Sequence, residues 1–296
     1  MNPIQRIHHI SATVADPNEN LHFYRDILGL RLVKQTINFE NKKMYHLYFA
    51  NQQVDKGSII TFFPYTENPT GRVGAGQARH IAFKVPKNTL SQWKIHLTRY
   101  SVSYSEDTLF QKPALLFHDP HHLHLALVET EETKDDYQII GLHGIELLSV
   151  DPTSTLKFLV QEMGLLLNKV TSSYYHLGMV GEEEQEVLIN RTITKKGQLG
   201  MGTIHHVAWS VAHKENLKEW KETIAVKRKI TNIENRKYFY SAYFKDPGQI
   251  IYELATEGPG FTVDESYDAL GSSLKLPERY EEVREEIEKD LPKLKL

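Results

Sequence analysis

Two adjacent pairs of histidines, His8-His9 and His205-His206, are the residues of this 296-residue chain best placed by type and spacing to do chemistry. With no cysteine present, disulfides, thiolate ligands and a cysteine nucleophile are excluded, so any metal must be held by imidazole or carboxylate, which suit the harder first-row ions. Each pair sits in a β-like run, and successive residues of a strand face opposite sides. His9, Ser11 and Thr13 form one face of the first run, against His8, Ile10, Ala12 and Val14. In the later run His206, Ala208 and Ser210 oppose His205, Val207, Trp209 and Val211. The apolar faces belong under helices and the smaller, more polar faces belong in a cavity. At most one histidine of each pair can therefore look inward, which makes His9 and His206 the candidate ligands. His8 and His205 are expected behind them, half-buried and bonded to backbone. The strand Gln249–Ala255 adds Glu253, inward with Ile251 and Ala255, and a lone carboxylate in an apolar strand is costly unless it is paired or on a metal. Two histidines and one carboxylate leave positions open on one side of an Fe(II) for a substrate and O2.

The elements that must position these residues come from a pattern written four times. Histidine-bearing strands recur at His9, His80, His143 and His206, with steps of 71, 63 and 63 residues. Asp16-Pro17 and Asp151-Pro152 each open a helix with an N-cap and a proline at the first helical position. β-like runs follow, as in Met44–Ala50, Ser58–Phe63, Tyr238–Phe244 and Gln249–Ala255. Each unit reads as βαβββ, which predicts an α+β protein of four modules paired edge to edge into two cup-shaped sheets. In this register unit three has Gly144 where unit one has His9, and unit two has Ala126 where unit four has Glu253. Units one and four must then share the cup that holds the site, and units two and three form a structural one, with His80 as a core or cup-lining residue. The apolar-free run from Glu129 to Asp136 marks a linker, dividing the chain into an N-terminal domain 1–130, a C-terminal domain 137–270 and a charged helical tail 271–296.

Other features carry less. His118, His121, His122 and His124 lie within seven residues, but Asp119-Pro120 reads as a turn that leaves His121 and His122 on an exposed hairpin tip. Glu182-Glu183-Glu184 is expected to be a solvated loop and Pro277–Asp290 a surface helix. A net charge of -3 leaves no basic excess for a phosphate backbone, so nucleic acid is not an expected partner. No signal-peptide core and no run of ~20 apolar residues is present, which predicts a cytoplasmic protein with no membrane partner.

Several segments carry a family resemblance. Phe23-Tyr24-Arg25-Asp26-Ile27-Leu28-Gly29-Leu30 resembles the first-helix motif of the vicinal-oxygen-chelate superfamily, which unites glyoxalases, bleomycin-resistance proteins and extradiol dioxygenases. Tyr45–Ala50, Ile204-His205-His206, Tyr238–Phe244 and Tyr252–Phe261 are similar to the hydroquinone-type ring-cleaving dioxygenases, including the methylhydroquinone and chlorohydroquinone 1,2-dioxygenases. The resemblance runs from Ile7 to Pro292. It implies Fe(II), with Mn(II) as the alternative ion, on residues matching His9, His206 and Glu253. It further implies catalytic or substrate-side roles for residues matching His8, His205, Arg236 and Tyr243. Arg236 and Tyr243 rest on the resemblance alone, and Ser11 stands where the family has threonine. The implied substrates are a small aromatic diol and O2, with a homo-oligomer as one arrangement. Catechol extradiol cleavage is the nearest alternative, followed by a glyoxalase-like isomerase or lyase and then a non-catalytic small-molecule binder. An isomerase needs a further ligand and a carboxylate base, and unit one offers Phe62 and Phe63 where that glutamate would stand.

Overall fold

The structure, a computed structural model, describes residues 2–67, 69–181 and 184–296. Glu182 and Glu183 of the acidic run lie outside the described residues. Module one comprises β1 (Ile7–Val14), α1 (Pro17–Leu21, continued by a π-helical turn over His22–Ile27), β2 (Arg31–Ile37), β3 (Tyr45–Ala50) and β4 (Ile59–Pro64). Module two comprises β5 (Gln77–Val85), α2 (Leu90–Arg99), β6 (Tyr104–Leu109), β7 (Lys112–His118) and β8 (His124–Glu129). Module three follows with β9 (Gly141–Leu148), α3 (Pro152–Gln161), β10 (Leu166–Val170), β11 (Tyr174–Gly178) and β12 (Glu186–Asn190). Module four has β13 (Thr203–Val211), α4 (Lys214–Ala225), β14 (Glu234–Asn235), β15 (Phe239–Lys245) and β16 (Ile251–Pro259). Of the helices α1–α4 of the modules, α1 and α3 open as the sequence predicts. The Asp16 carboxylate accepts from the backbone N–H groups of Asn18 and Glu19 at 2.7 and 2.9 Å, and Asp151 accepts from that of Ser154 at 3.1 Å, satisfying N–H groups that have no partner inside the helix.

Among the described residues sixteen strands form two eight-stranded sheets, ordered β14-β15-β16-β13-β1-β4-β3-β2 and β10-β11-β12-β9-β5-β8-β7-β6. Modules one and four join through the antiparallel pair β1–β13, and modules two and three through β5–β9, which is the pairing the ligand positions require. Each sheet thus takes one module from residues 1–130 and one from 137–270. The faces read as apolar do turn away from the cups: Ile10, Ala12, Val14, Val207, Trp209, Val211, Tyr252 and Leu254 are buried in one continuous core with Phe23, Phe158 and Leu217 from the helices. Among the described residues no helix is long and apolar enough to cross a membrane.

The C-terminal segment departs from the expected surface helix. It forms a 3-10 turn over Glu278–Val283 and then a short helix α5 (Arg284–Asp290), because only Ile287 and Leu291, four residues apart, bury an apolar stripe. It acts as a strap across module one. Gln35 O accepts from Lys275 N at 2.9 Å, the Tyr45 hydroxyl donates to Pro292 O at 3.0 Å, and Arg279 and the Tyr280 hydroxyl both donate to Phe39 O at 2.7 and 3.1 Å. Ahead of the strap, the wholly buried Lys34 is neutralised by Asp264 at 2.7 Å and by Glu265. A buried ammonium needs such partners.

Candidate metal centre

β1, β13 and β16 lie side by side in the first sheet and bring His9, His206 and Glu253 to one point. Glu253 Oε2 stands 3.1 Å from His9 Nε2 and 2.9 Å from His206 Nε2, and the two Nε2 atoms are 3.3 Å apart. These are the edges expected when three ligands share an ion at roughly 2.0–2.2 Å. Burial alone would raise the Glu253 carboxyl, but the electrostatic influence of His9, followed by the carboxylate's close contacts with His206 and His9, more than reverses this and holds it well below the usual carboxylate range. His206 is lowered, by burial first and with His9 and Arg236 acting the same way against the attraction of Glu253. An ionised, fully buried carboxylate beside an imidazole that resists protonation leaves negative charge that a cation would balance.

The hydrogen bonds behind the triad point the same way. His8 Nε2 lies 3.1 Å from Thr256 O, and a carbonyl can only accept, so that nitrogen carries the proton. Nδ1 of a neutral His8 is then the acceptor in its 2.8 Å contact with His9 Nδ1. His9 therefore carries its proton on Nδ1, and its Nε2 lone pair faces Glu253 and His206. His205 and His206 repeat the Nδ1 to Nδ1 contact at 2.8 Å. The His9 Nε2 lone pair, the Glu253 carboxylate and the His206 ring thus meet at one point, a donor set that fits a metal ion.

Strict strand alternation does not survive at either pair. In the β1–β13 ladder Ile7 pairs with Trp209 while His9 pairs with Ala208, so His8 is an extra residue; Ser11 pairs with His206 while Ala12 pairs with Ile204, so His205 is extra too. A bulge inserts one residue and re-aims its side chain. His8 stays behind, bonded to backbone as expected, and opens on a separate cavity of about 220 Å³. His205 does not: it lines the same cavity as His206, which corrects the expectation that one of the pair at most could look inward.

That cavity, about 420 Å³, lies over the triad. Phe63 and Phe239 wall it; Phe239 packs 5.4 Å from the His9 ring and Phe63 6.5 Å from the His206 ring. Tyr243 stands opposite Glu253 in the β15–β16 register, with its ring 5.3 Å from that of His206. Burial first, and the Glu253 charge second, raise its phenol well above the ordinary value, so it remains a proton donor. Arg236 pairs with Glu234 at 2.8 Å, lies 5.5 Å from the Tyr243 ring centroid and 5.7 Å from that of Phe39, and its buried Nε has no hydrogen-bond partner among the described residues. Phe39, Phe63, Phe239, His46 and Tyr48 also line the cavity, and none of them is among the site residues named from sequence. The inward faces of β3 and β4 could have found three of these, since Tyr48 pairs with Thr61, and Thr61 with Ser11, in register.

Among the described residues the second sheet does not repeat the triad. Gly144 pairs with Ala82 as His9 pairs with Ala208, and a Cβ there would sit 2.1 Å from Glu186 O. His80 is more than a cup-lining residue: its Nδ1 lies 2.6 Å from Glu146 Oε2, and Arg79 binds the same carboxylate through two nitrogens at 2.7 and 2.6 Å. The guanidinium occupies the charge-balancing position. In the histidine-rich turn His122 is exposed, but His121 is 3% exposed, because its Nε2 accepts from Asp16 N at 3.1 Å and so ties the turn to the start of α1. The cluster does not join the site.

Comparison with known proteins agrees with this architecture. Residues 6–254 match the family described as the Glyoxalase/Bleomycin resistance protein/Dioxygenase superfamily, and the chain belongs to it. The chain is 40% identical over 299 residues to MhqE of Bacillus subtilis (strain 168), a provisionally named ring-cleaving dioxygenase, covering 97% of this chain and 98% of that protein. It is 26% identical to the chlorohydroquinone/hydroquinone 1,2-dioxygenase of Sphingobium indicum, covering 96% and 95%. The crystal structure of a provisionally named dioxygenase from Bacillus subtilis superposes with a TM-score of 0.96 at 37% identity, covering 100% of this chain and 99% of that one.

Proposed function

We propose that the protein is a non-haem Fe(II) dioxygenase that cleaves the ring of a hydroquinone-type aromatic diol, and that His9, His206 and Glu253 hold the metal. The observation that carries this reading is the convergence of His9 Nε2, His206 Nε2 and Glu253 Oε2 within 3.3 Å of one another under an aromatic-walled cavity. The diol and O2 combine into one ring-opened product, so the reaction needs no further reactant. When bound, iron supplies the electron transfer between diol and O2 that is otherwise slow. The chain's own residues do the rest. Phe63 and Phe239 hold the ring between apolar faces and exclude water. Tyr243 moves a proton at the hydroxyl nearest Glu253, and the free Nε of Arg236 stabilises charge developing on oxygen. His8 and His205 hold the tautomers of His9 and His206.

Oxygen uptake by anaerobically Fe(II)-reconstituted protein given methylhydroquinone, with catechol and a His206→Ala variant alongside, tests the proposal. Uptake that is stoichiometric, His206-dependent and accompanied by a ring-opened product is expected. Metal binding without uptake on either diol would overturn it.

A further inference from the structure

A 1,2-diol can turn both oxygens toward a metal, whereas a 1,4-diol bound by one hydroxyl carries the other across the ring to meet protein. A buried hydroxyl without a hydrogen-bond partner costs binding, so a pocket for 1,4-diols needs a polar group on the wall facing the triad. β3, two strands beyond β1 and about 10 Å along the sheet at the usual strand spacing, supplies part of the cavity lining.

β3 places two polar side chains there, His46 and Tyr48. His46 uses both ring nitrogens within the protein: Nε2 lies 3.0 Å from Thr61 Oγ1, and Nδ1 lies 3.0 Å from the Tyr48 hydroxyl. Thr61 is in turn 2.6 Å from Ser11 Oγ, so the imidazole is anchored back to β1, the strand of His9. The Tyr48 ring is fixed against Phe261 at 5.3 Å and Tyr238 at 6.3 Å. Its hydroxyl differs from the rest of this chain of bonds. Among the described residues it bonds His46 alone, although a phenol can donate once and accept twice. The unused capacity is on a rigid group at the cavity wall, with the His46 ring 4.4 Å from Phe63 beside it.

We propose that Tyr48, held in place by His46, binds the hydroxyl of the substrate remote from the metal and so determines selection of 1,4-diols over 1,2-diols. This rests on the diol reading above. The two are separated by measuring binding without turnover.

Metal-loaded wild type and Tyr48→Phe, which retains the ring and its packing, are titrated anaerobically with hydroquinone and with phenol, and thermal melts confirm that both proteins are folded. Wild type should bind hydroquinone at least tenfold more tightly than phenol, and Tyr48→Phe should lose that margin. Under air, the ratio of kcat/KM for hydroquinone to that for catechol should fall at least tenfold in the variant, chiefly through KM. An unchanged margin and an unchanged ratio would overturn the assignment of Tyr48. If wild type consumes no oxygen with any diol, the proposed reaction fails, while the hydroquinone-to-phenol margin still decides the Tyr48 contact. His46→Gln should reduce the margin in the same direction, since it loosens the Tyr48 hydroxyl.

Discussion

His80 and Glu146, with Nδ1 and Oε2 2.6 Å apart, occupy in the second sheet the register positions that His206 and Ser11 hold in the first. One pair of joined modules therefore presents the His9, His206 and Glu253 cluster, and the other carries an internal ion pair completed by Arg79 at matching positions. Burial alone would raise the Glu146 carboxyl, but hydrogen bonds from His80 and Arg79 hold it at about 2, against 4.5 ordinarily. A depressed carboxyl stabilises the fold fully above its unfolded value and loses that stabilisation as pH falls through the folded one. Stability from this network should thus decline from pH 4.5 toward pH 2. Glu146→Gln, which leaves Arg79 and His80 without their counter-charge, should cost about 3 kcal/mol near neutrality and flatten this part of the acid limb. Urea unfolding at a series of pH values measures both; an unaltered acid limb would remove the network from the account.

Glu253→Gln removes the charge that balances the cation. Bound iron after dialysis and oxygen uptake should both fall at least a hundredfold. His8→Phe leaves all three ligand atoms in place but removes the acceptor that fixes the His9 tautomer, so metal affinity should drop by roughly 10–100-fold. Metal content at fixed free Fe(II) distinguishes the two, and full retention in the His8 variant would show that the Thr256–His8–His9 chain does not set the ligand.

Tyr243→Phe should slow turnover by about 10²–10⁴-fold while iron content stays at the wild-type level. Iron loss in this variant would mean that the tyrosine supports Glu253, its cross-strand partner, instead of acting on substrate.

His121→Ala should lower stability by about 1–2 kcal/mol, because it leaves the Asp16 backbone N–H without its buried acceptor at the start of α1. Oxygen uptake per folded molecule should not change. A His122→Ala control, on an exposed side chain, should leave the melting temperature where it was.

Much of this site was legible from residue order because β-strand alternation is a strong constraint. It separated His9 from His8 and His206 from His205, chose Glu253 over Tyr252 and Leu254, and with Gly144 and Ala126 required modules one and four to share a sheet. It failed where an extra residue breaks the alternation. The bulge at His205 turns a side chain assigned to the back into the cavity, and the Arg79-His80 bulge faces Glu146, a partner from another module that no local pattern announces. The burial of His121 escaped for a related reason: a polar turn reads as solvent-exposed unless the distant backbone group that covers it is known. The hold of the C-terminal strap on Phe39 is likewise a long-range backbone contact with no signature of its own.

The pairing of the first module with the last also bears on how the protein is made. β1 is synthesised well before β13, so one of its edges pairs with β4 while the other waits, at ~5–20 residues per second, for about ten seconds or more. Throughout that interval the nascent chain carries an open strand edge that could pair wrongly, and a chaperone has reason to cover it. Glu253 stands on β16, after both β1 and β13, so in the proposed metal site the third ligand is the last of the three to be synthesised.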